Sequence, residues 1–256
     1  MAQPRFPQTP RSHPELRYVR APEPVEFPVE EEVPEGFDHL IVRTFLFRLL
    51  SFALGREHTV CSEQFVFWDA SNGKRRLAPD VFVCINYPQP EHLGSWQTWQ
   101  GRRAPDVAIE IVSPNEGDGT TWEEKIERYH QLGVTELVRF DPAQTEGKRL
   151  RVWDRVKGDL VERQIGADRT PCLALGLSWT VCPIPAPTGE LVGLRLVDDE
   201  GRVLLTQEET EAKGRAEEAK GRAAAEARAD AEAAARAIAE ARVRELEEEL
   251  RRRGPG

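Results

Sequence analysis

The sequence predicts an α/β domain in the order helix, three strands, helix, strand, followed by a long C-terminal helix. Three observations carry that expectation. An apolar run begins at Phe37 and stops at Gly55; β-branched and aromatic runs flank Asn72-Gly73; and the tail within residues 199–256 is built mostly from Ala, Glu and Arg. Of 256 residues, 39% are hydrophobic, and the shortfall lies at the two ends, so one core over residues 36–198 is expected rather than two.

Residues 1–35 are rich in proline and then glutamate, with six glutamates from Glu23 to Glu35 and no lysine or arginine among them. Such a composition buries too little apolar area to offset chain entropy, so a disordered arm is expected. No apolar signal segment opens the chain. The run FDHLIVRTFLFRLLSFALG then predicts a helix from about Asp38 to Gly55, apolar on more than one face and too short and too charged to span a bilayer.

HTVCSEQFVFWD and RLAPDVFVCI predict two strands joined by a hairpin at Asn72-Gly73. A loop with Trp96 and Trp99 leads to APDVAIEIV, a third strand. From Thr121 the spacing becomes helical, with Thr121 and Glu124 as a capping box, Trp122, Ile126 and Tyr129 as an apolar stripe, and Gly133 as the stop. VTELVRFDP, RLRVWD and DLVERQ read as further strands, and residues from there to 198 are placed in the same domain without further elements. In the tail, opposite charges three or four apart support a helix. Ala239, Val243, Leu246 and Leu250 form a weak heptad seam, so both a solvated helix and a coiled coil that pairs two copies remain open.

The net charge of −9 excludes a polybasic nucleic-acid coat, but a cation-dependent phosphate site tolerates an acidic chain because the cation brings its own charge. Cys61, Cys84, Cys172 and Cys182 have no CxxC spacing and His13, His39, His58, His92 and His130 no ligand spacing, which argues against zinc and for reduced thiols in a cytoplasmic protein.

Chemistry points to two strands that open with Pro-Asp. Alternation in Asp106-Val107-Ala108-Ile109-Glu110-Ile111-Val112 puts Glu110 on one face with Asp106, Ala108 and Val112. A carboxylate buried there without a partner would cost several kcal/mol. A divalent cation shared with Asp80 is one partner, and a salt bridge with Lys125 or an arginine is another. Glu63 reads as a solvated glutamate before a metal ligand, Asp106 as a turn residue at the strand entrance, and Trp96, Trp99, Arg102 and Arg103 as base-stacking and phosphate-holding candidates or as local packing.

Pro79-Asp80, Glu110-Ile111-Val112, Ser113-Pro114, Lys125, Tyr129, Leu132-Gly133-Val134 and Phe140-Asp141-Pro142, in this order, resemble the Uma-type putative restriction endonuclease family of the PD-(D/E)xK nuclease superfamily. The resemblance covers residues 36–198. It implies a restriction-endonuclease-like core with a mixed central sheet, hydrolysis of DNA phosphodiesters with Mg²⁺ or Mn²⁺, and metal binding by Asp80 and Glu110. The lysine expected two residues after the glutamate is Val112 here, and the resemblance implies that Lys125 takes its role. Thr121 and Trp122 stand where members carry an aspartate, with Asp118 somewhat earlier. The rival expectation is an inactive descendant that acts as an interaction module through its C-terminal helix, and a homodimer through that helix is open under either expectation. An open cleft holding Asp80, Glu110 and Lys125 would favour the nuclease, and a closed Glu110–Lys125 pair the rival.

Overall fold

A computed structural model describes residues 36–90, 94–100, 102–113 and 121–254. The arm at residues 1–35, His92, Pro114 and Asp118 lie outside the described residues.

Helix α1 (Phe37–Leu54) stops where Gly55 takes a positive φ. Its buried stripe is Val42, Arg43, Phe45, Leu46, Leu49 and Leu50, while Phe37 and Phe52 are exposed, so burial is narrower than the all-round apolar sequence suggests. Strands β1 (Thr59–Cys61), β2 (Val66–Phe67), β3 (Arg76–Leu77), β4 (Val81–Cys84), β5 (Trp96–Gln97) and β6 (Val107–Ile111) follow. Helix α2 (Trp122–Leu132) leads to β7 (Glu136–Phe140), β8 (Leu150–Val156), β9 (Asp159–Glu162), β10 (Arg169–Cys172), β11 (Leu177–Ala186) and β12 (Gly189–Val197), then to α3 (Gln207–Arg253).

The expected long hairpin around Asn72-Gly73 is a correction. Each of its two runs breaks in the middle, at Glu63, which holds a φ of 55°, and at Ala78-Pro79. The Glu63 N–H donates to the Pro79 carbonyl at 3.1 Å, so both runs leave one sheet for another at the same level. β1 and β4 pair in the central sheet, and β2 and β3 pair beside β5 in a small one.

The central sheet has the order β1-β4-β6-β7-β8-β9, parallel between β6 and β7 and antiparallel elsewhere. It is covered on both sides, as a sheet with a parallel core requires. On the first face, Val81, Val83, Val107, Ile109, Ile111, Val138 and Val152 pack against α1 and the sheet β10-β11-β12. On the second, Phe82, Cys84, Ala108, Leu137 and Trp153 meet Tyr129 and Leu132 of α2 and Val66, Leu77 and Trp96 of the small sheet. Both sides of the alternation read from the third strand are thereby filled as expected.

β11 and β12 form a long hairpin that carries Pro183 and Pro185. The Val181 N–H points outward to Asp168, and the two prolines share its parity, so their missing N–H groups face the side where β10 has ended. Gly193 lets the strands close: a Cβ there would lie 2.4 Å from the Ile184 side chain. α3 starts from a Thr206–Glu209 capping box and is tied down by Arg195, which bonds Glu209 and lies 4.5 Å over the Phe45 ring. Beyond its first turn its described side chains are exposed. No helix among the described residues is long and apolar enough to cross a membrane.

Candidate active site

Asp80 sits one residue ahead of β4, and the antiparallel register Val81↔Ile109 carried one step outward sets it opposite Glu110. Cross-strand neighbours project to the same face, so the two carboxylates share the second face of the sheet. Asp80 is fixed from three directions. Its Oδ2 accepts the Ile111 N–H at 2.6 Å, its Oδ1 lies 3.3 Å from His39 Nε2, and its carbonyl accepts the Ser62 hydroxyl at 2.7 Å. Arg43 Nη1 in turn donates to Ser62 Oγ at 2.9 Å. The same His39 Nε2 is 2.9 Å from the Ile111 carbonyl oxygen, so that oxygen and Asp80 Oδ1 converge on one point.

α2 delivers the rest. Its capping box, in which Thr121 accepts from the Glu124 N–H and Glu124 from the Thr121 N–H, sets the first turn as expected from the sequence. Gly133 in the left-handed region closes the last, where its N–H bonds the Tyr129 carbonyl. Lys125 and Tyr129, four apart, therefore share the inner side of the helix. Lys125 Nζ is 3.4 Å from Glu110 Oε2, and the Tyr129 hydroxyl donates to Glu110 Oε1 in a short contact. The Glu110 and Lys125 side chains are 8% and 15% exposed, so the lysine is turned inward rather than into solvent. Burial first, and then the Glu110 charge and hydrogen bond, push the Tyr129 phenol well above its ordinary range, so it remains a donor.

The three residues singled out in the sequence, Asp80, Glu110 and Lys125, thus come together. His39, Arg43 and Tyr129 complete the site and were not singled out for it. The signal for the first two was their spacing of four on an otherwise apolar helix, which gives them one face.

Other candidates separate from this cluster. Glu63 is 53% exposed and pairs with Arg43 at 3.3 Å. Asp106 takes the Ile85 N–H at 2.7 Å and Arg103 at 2.8 Å, a turn role at the strand entrance. Trp96 is fully buried, with its indole N–H on the Arg103 carbonyl and Arg102 over its ring, so it stacks within its own domain instead of on bases. The four cysteines are free thiols, and burial pushes Cys61 up to about 12.

A hard divalent cation suits the donors present, which are two carboxylates and the Ile111 carbonyl, all oxygen. Among the described residues no three His, Cys, Asp or Glu side chains group as a metal site, and the Ile111 carbonyl is the backbone oxygen beside the two carboxylates.

The Uma2 family, described as putative restriction endonuclease, matches residues 19–184. A crystal structure of a putative nuclease belonging to DUF820 from Anabaena variabilis is 17% identical, covering 62% of this chain and 77% of its own, with a TM-score of 0.39. Among curated proteins none matches.

Proposed function

This chain belongs to the Uma2 family of putative restriction endonucleases, and on that premise we propose that it is a metal-dependent endonuclease that hydrolyses DNA phosphodiester bonds at Asp80 and Glu110, with Lys125 assisting. The observation that carries this reading is the β4–β6 register, which sets Asp80 opposite Glu110 so that the two carboxylates share one face of the sheet. Asp80, Glu110 and the Ile111 carbonyl would hold Mg²⁺ or Mn²⁺, which would supply positive charge to the phosphate and lower the pKa of a water. The protein's own groups do the remaining work. Lys125 replaces the lysine missing at Val112 and stabilises charge that develops on the phosphate oxygens. Tyr129, which stays protonated, orients the Glu110 carboxylate. His39 holds Asp80 and the Ile111 carbonyl in one arrangement.

The closed Glu110–Lys125 pair favours a second reading, an inactive nuclease fold that acts as an interaction module through α3. Calorimetric titration with Mg²⁺ and Mn²⁺, with plasmid nicking followed in the same preparations, separates the two. The wild type is expected to bind cation and nick DNA, and folded Asp80→Ala and Glu110→Ala to lose both. A folded wild type that binds no divalent ion and leaves plasmid intact sinks the nuclease reading.

A further inference from the structure

Across the second face the register continues past the acids. Glu110 pairs with Arg139 on β7, and Arg139 pairs with Arg151 on β8, so Asp80, Glu110, Arg139 and Arg151 form one row over four neighbouring strands. The two arginines border a cavity of about 390 Å³ near the β7–β8 connection, lined also by Lys148, Gln144 and Glu162. Four cations, Arg139, Lys148, Arg151 and Arg163, face one carboxylate, Glu162, in a chain whose net charge is −9. The lining is basic, with Asp141 and Asp154 standing behind Arg139 and Arg163.

The cations are not equivalent. The Arg163 guanidinium is committed to Asp154 and Thr170, which leaves it a structural member of the wall. Arg151 is held by Glu162 at 2.7 and 2.8 Å and lies 4.8 Å over the Trp153 ring. Lys148 is exposed. Arg139 stacks 5.2 Å over Trp122, its nearest acid is Asp141 at 3.6 Å, and its buried Nε meets no acceptor among the described residues. A buried guanidinium N–H without an acceptor is costly, and a phosphate oxygen is the acceptor whose geometry a guanidinium matches best.

We propose that this cavity binds a backbone phosphate of DNA beside the one at Asp80 and Glu110, with Arg139, Arg151 and Lys148 as its contacts. The inference rests on the phosphodiester reading of the neighbouring acids. The row sets strand direction: the DNA backbone runs across the β-strands, from the acidic pair to the basic pair. Neighbouring strands lie about 4.8 Å apart, so Arg139 is one spacing and Arg151 two spacings from Glu110 along the row.

The test uses the full chain, a fluorescein-labelled DNA duplex, and Ca²⁺ in place of Mg²⁺ so that binding is read apart from cleavage. Affinity is measured against salt for the wild type, Lys148→Ala, Arg151→Gln and Arg139→Gln, with folding checked by circular dichroism. Each lost phosphate contact is expected to lower the slope of log K on log[salt] by about 0.9. Lys148→Ala, whose side chain is exposed, keeps the test open if Arg139→Gln fails to fold. Unchanged slopes in folded variants overturn the cavity while plasmid nicking still judges the acids. Binding through the cavity without nicking by any cation keeps the cavity and removes the nuclease reading. A wild type that binds no duplex overturns the proposal.

Discussion

Two glutamates on neighbouring strands of the central sheet are buried on opposite faces, and they are held in opposite ways. Glu136, on the first face, is 1% exposed. Its Oε1 accepts the Trp179 indole N–H at 2.8 Å, its Oε2 accepts the Leu173 and Ala174 N–H groups at 2.8 and 3.4 Å, and Arg163 stands 3.8 Å away. Those partners come from the second sheet and its entry, so the carboxylate fastens one sheet to the other. Glu110, on the second face, is 6% exposed and faces a lysine, a phenol and a second carboxylate. Backbone and indole donors make a carboxylate part of the frame. A partner that carries its own exchangeable charge leaves it available for chemistry.

Substitution at the two glutamates puts that contrast at greatest risk. Removing Glu136 leaves three N–H donors without their acceptor while Arg163 keeps Asp154, and each stranded donor costs about 1–3 kcal/mol. Urea unfolding of Glu136→Ala should show that loss. Glu110→Gln keeps the volume and a hydrogen-bonding group and should lose less than half as much. Equal losses would make Glu110 a second structural clip and take away the basis for placing chemistry on its face.

Tyr129→Phe sharpens the comparison with a smaller effect. The hydroxyl donates to a buried carboxylate, and a bond to a charged group contributes about 1.5–3 kcal/mol. The pH dependence identifies its source. Burial and Glu110 raise the folded phenol above its ordinary 10.0, so in alkali the unfolded chain loses this proton first. Stability from Tyr129 is therefore full below about pH 10 and is lost as pH rises towards the folded value. The difference between wild type and Tyr129→Phe in unfolding free energy should shrink above that pH, while the buried thiols contribute equally to both proteins and cancel. A constant difference would mean that the hydroxyl is not the group Glu110 relies on.

What the sequence made legible was local. A capping box, a stop glycine and a period-two strand are each written within a dozen residues, and α2 and β6 follow from them, whereas the role of Lys125 beside Asp80 and Glu110 comes from the family resemblance. What it concealed depends on distant backbone. The division of 59–67 and 76–84 into four strands needs the Glu63 N–H to meet the Pro79 carbonyl. The β11–β12 hairpin is masked by Pro183 and Pro185, which are tolerated only because β10 ends short of them. His39 meets the Ile111 carbonyl 72 residues away, and no neighbour in sequence announces that contact. The same holds for the basic cavity, whose lysine and arginines look in sequence like an ordinary solvated loop and strands.

The two helix caps offer the smallest test and a matched control. Thr121 of α2 and Thr206 of α3 make the same reciprocal box with a glutamate three residues on, each with an N–H···O distance of 3.2 Å to the threonine hydroxyl. Threonine to alanine at such a cap costs about 1 kcal/mol in either helix. The consequences diverge because of what each first turn carries. The first turns of α2 present Lys125 to Glu110, and on the proposed nuclease reading a small misplacement there would lower the rate. The first turn of α3 carries Glu209 to Arg195, on the first face and away from the acids. Thr121→Ala should therefore slow plasmid nicking several-fold more than Thr206→Ala at a similar loss in urea stability. Equal nicking by the two variants would mean that Lys125 does not need to be positioned by α2, and the second face would then differ from the first in its acids alone.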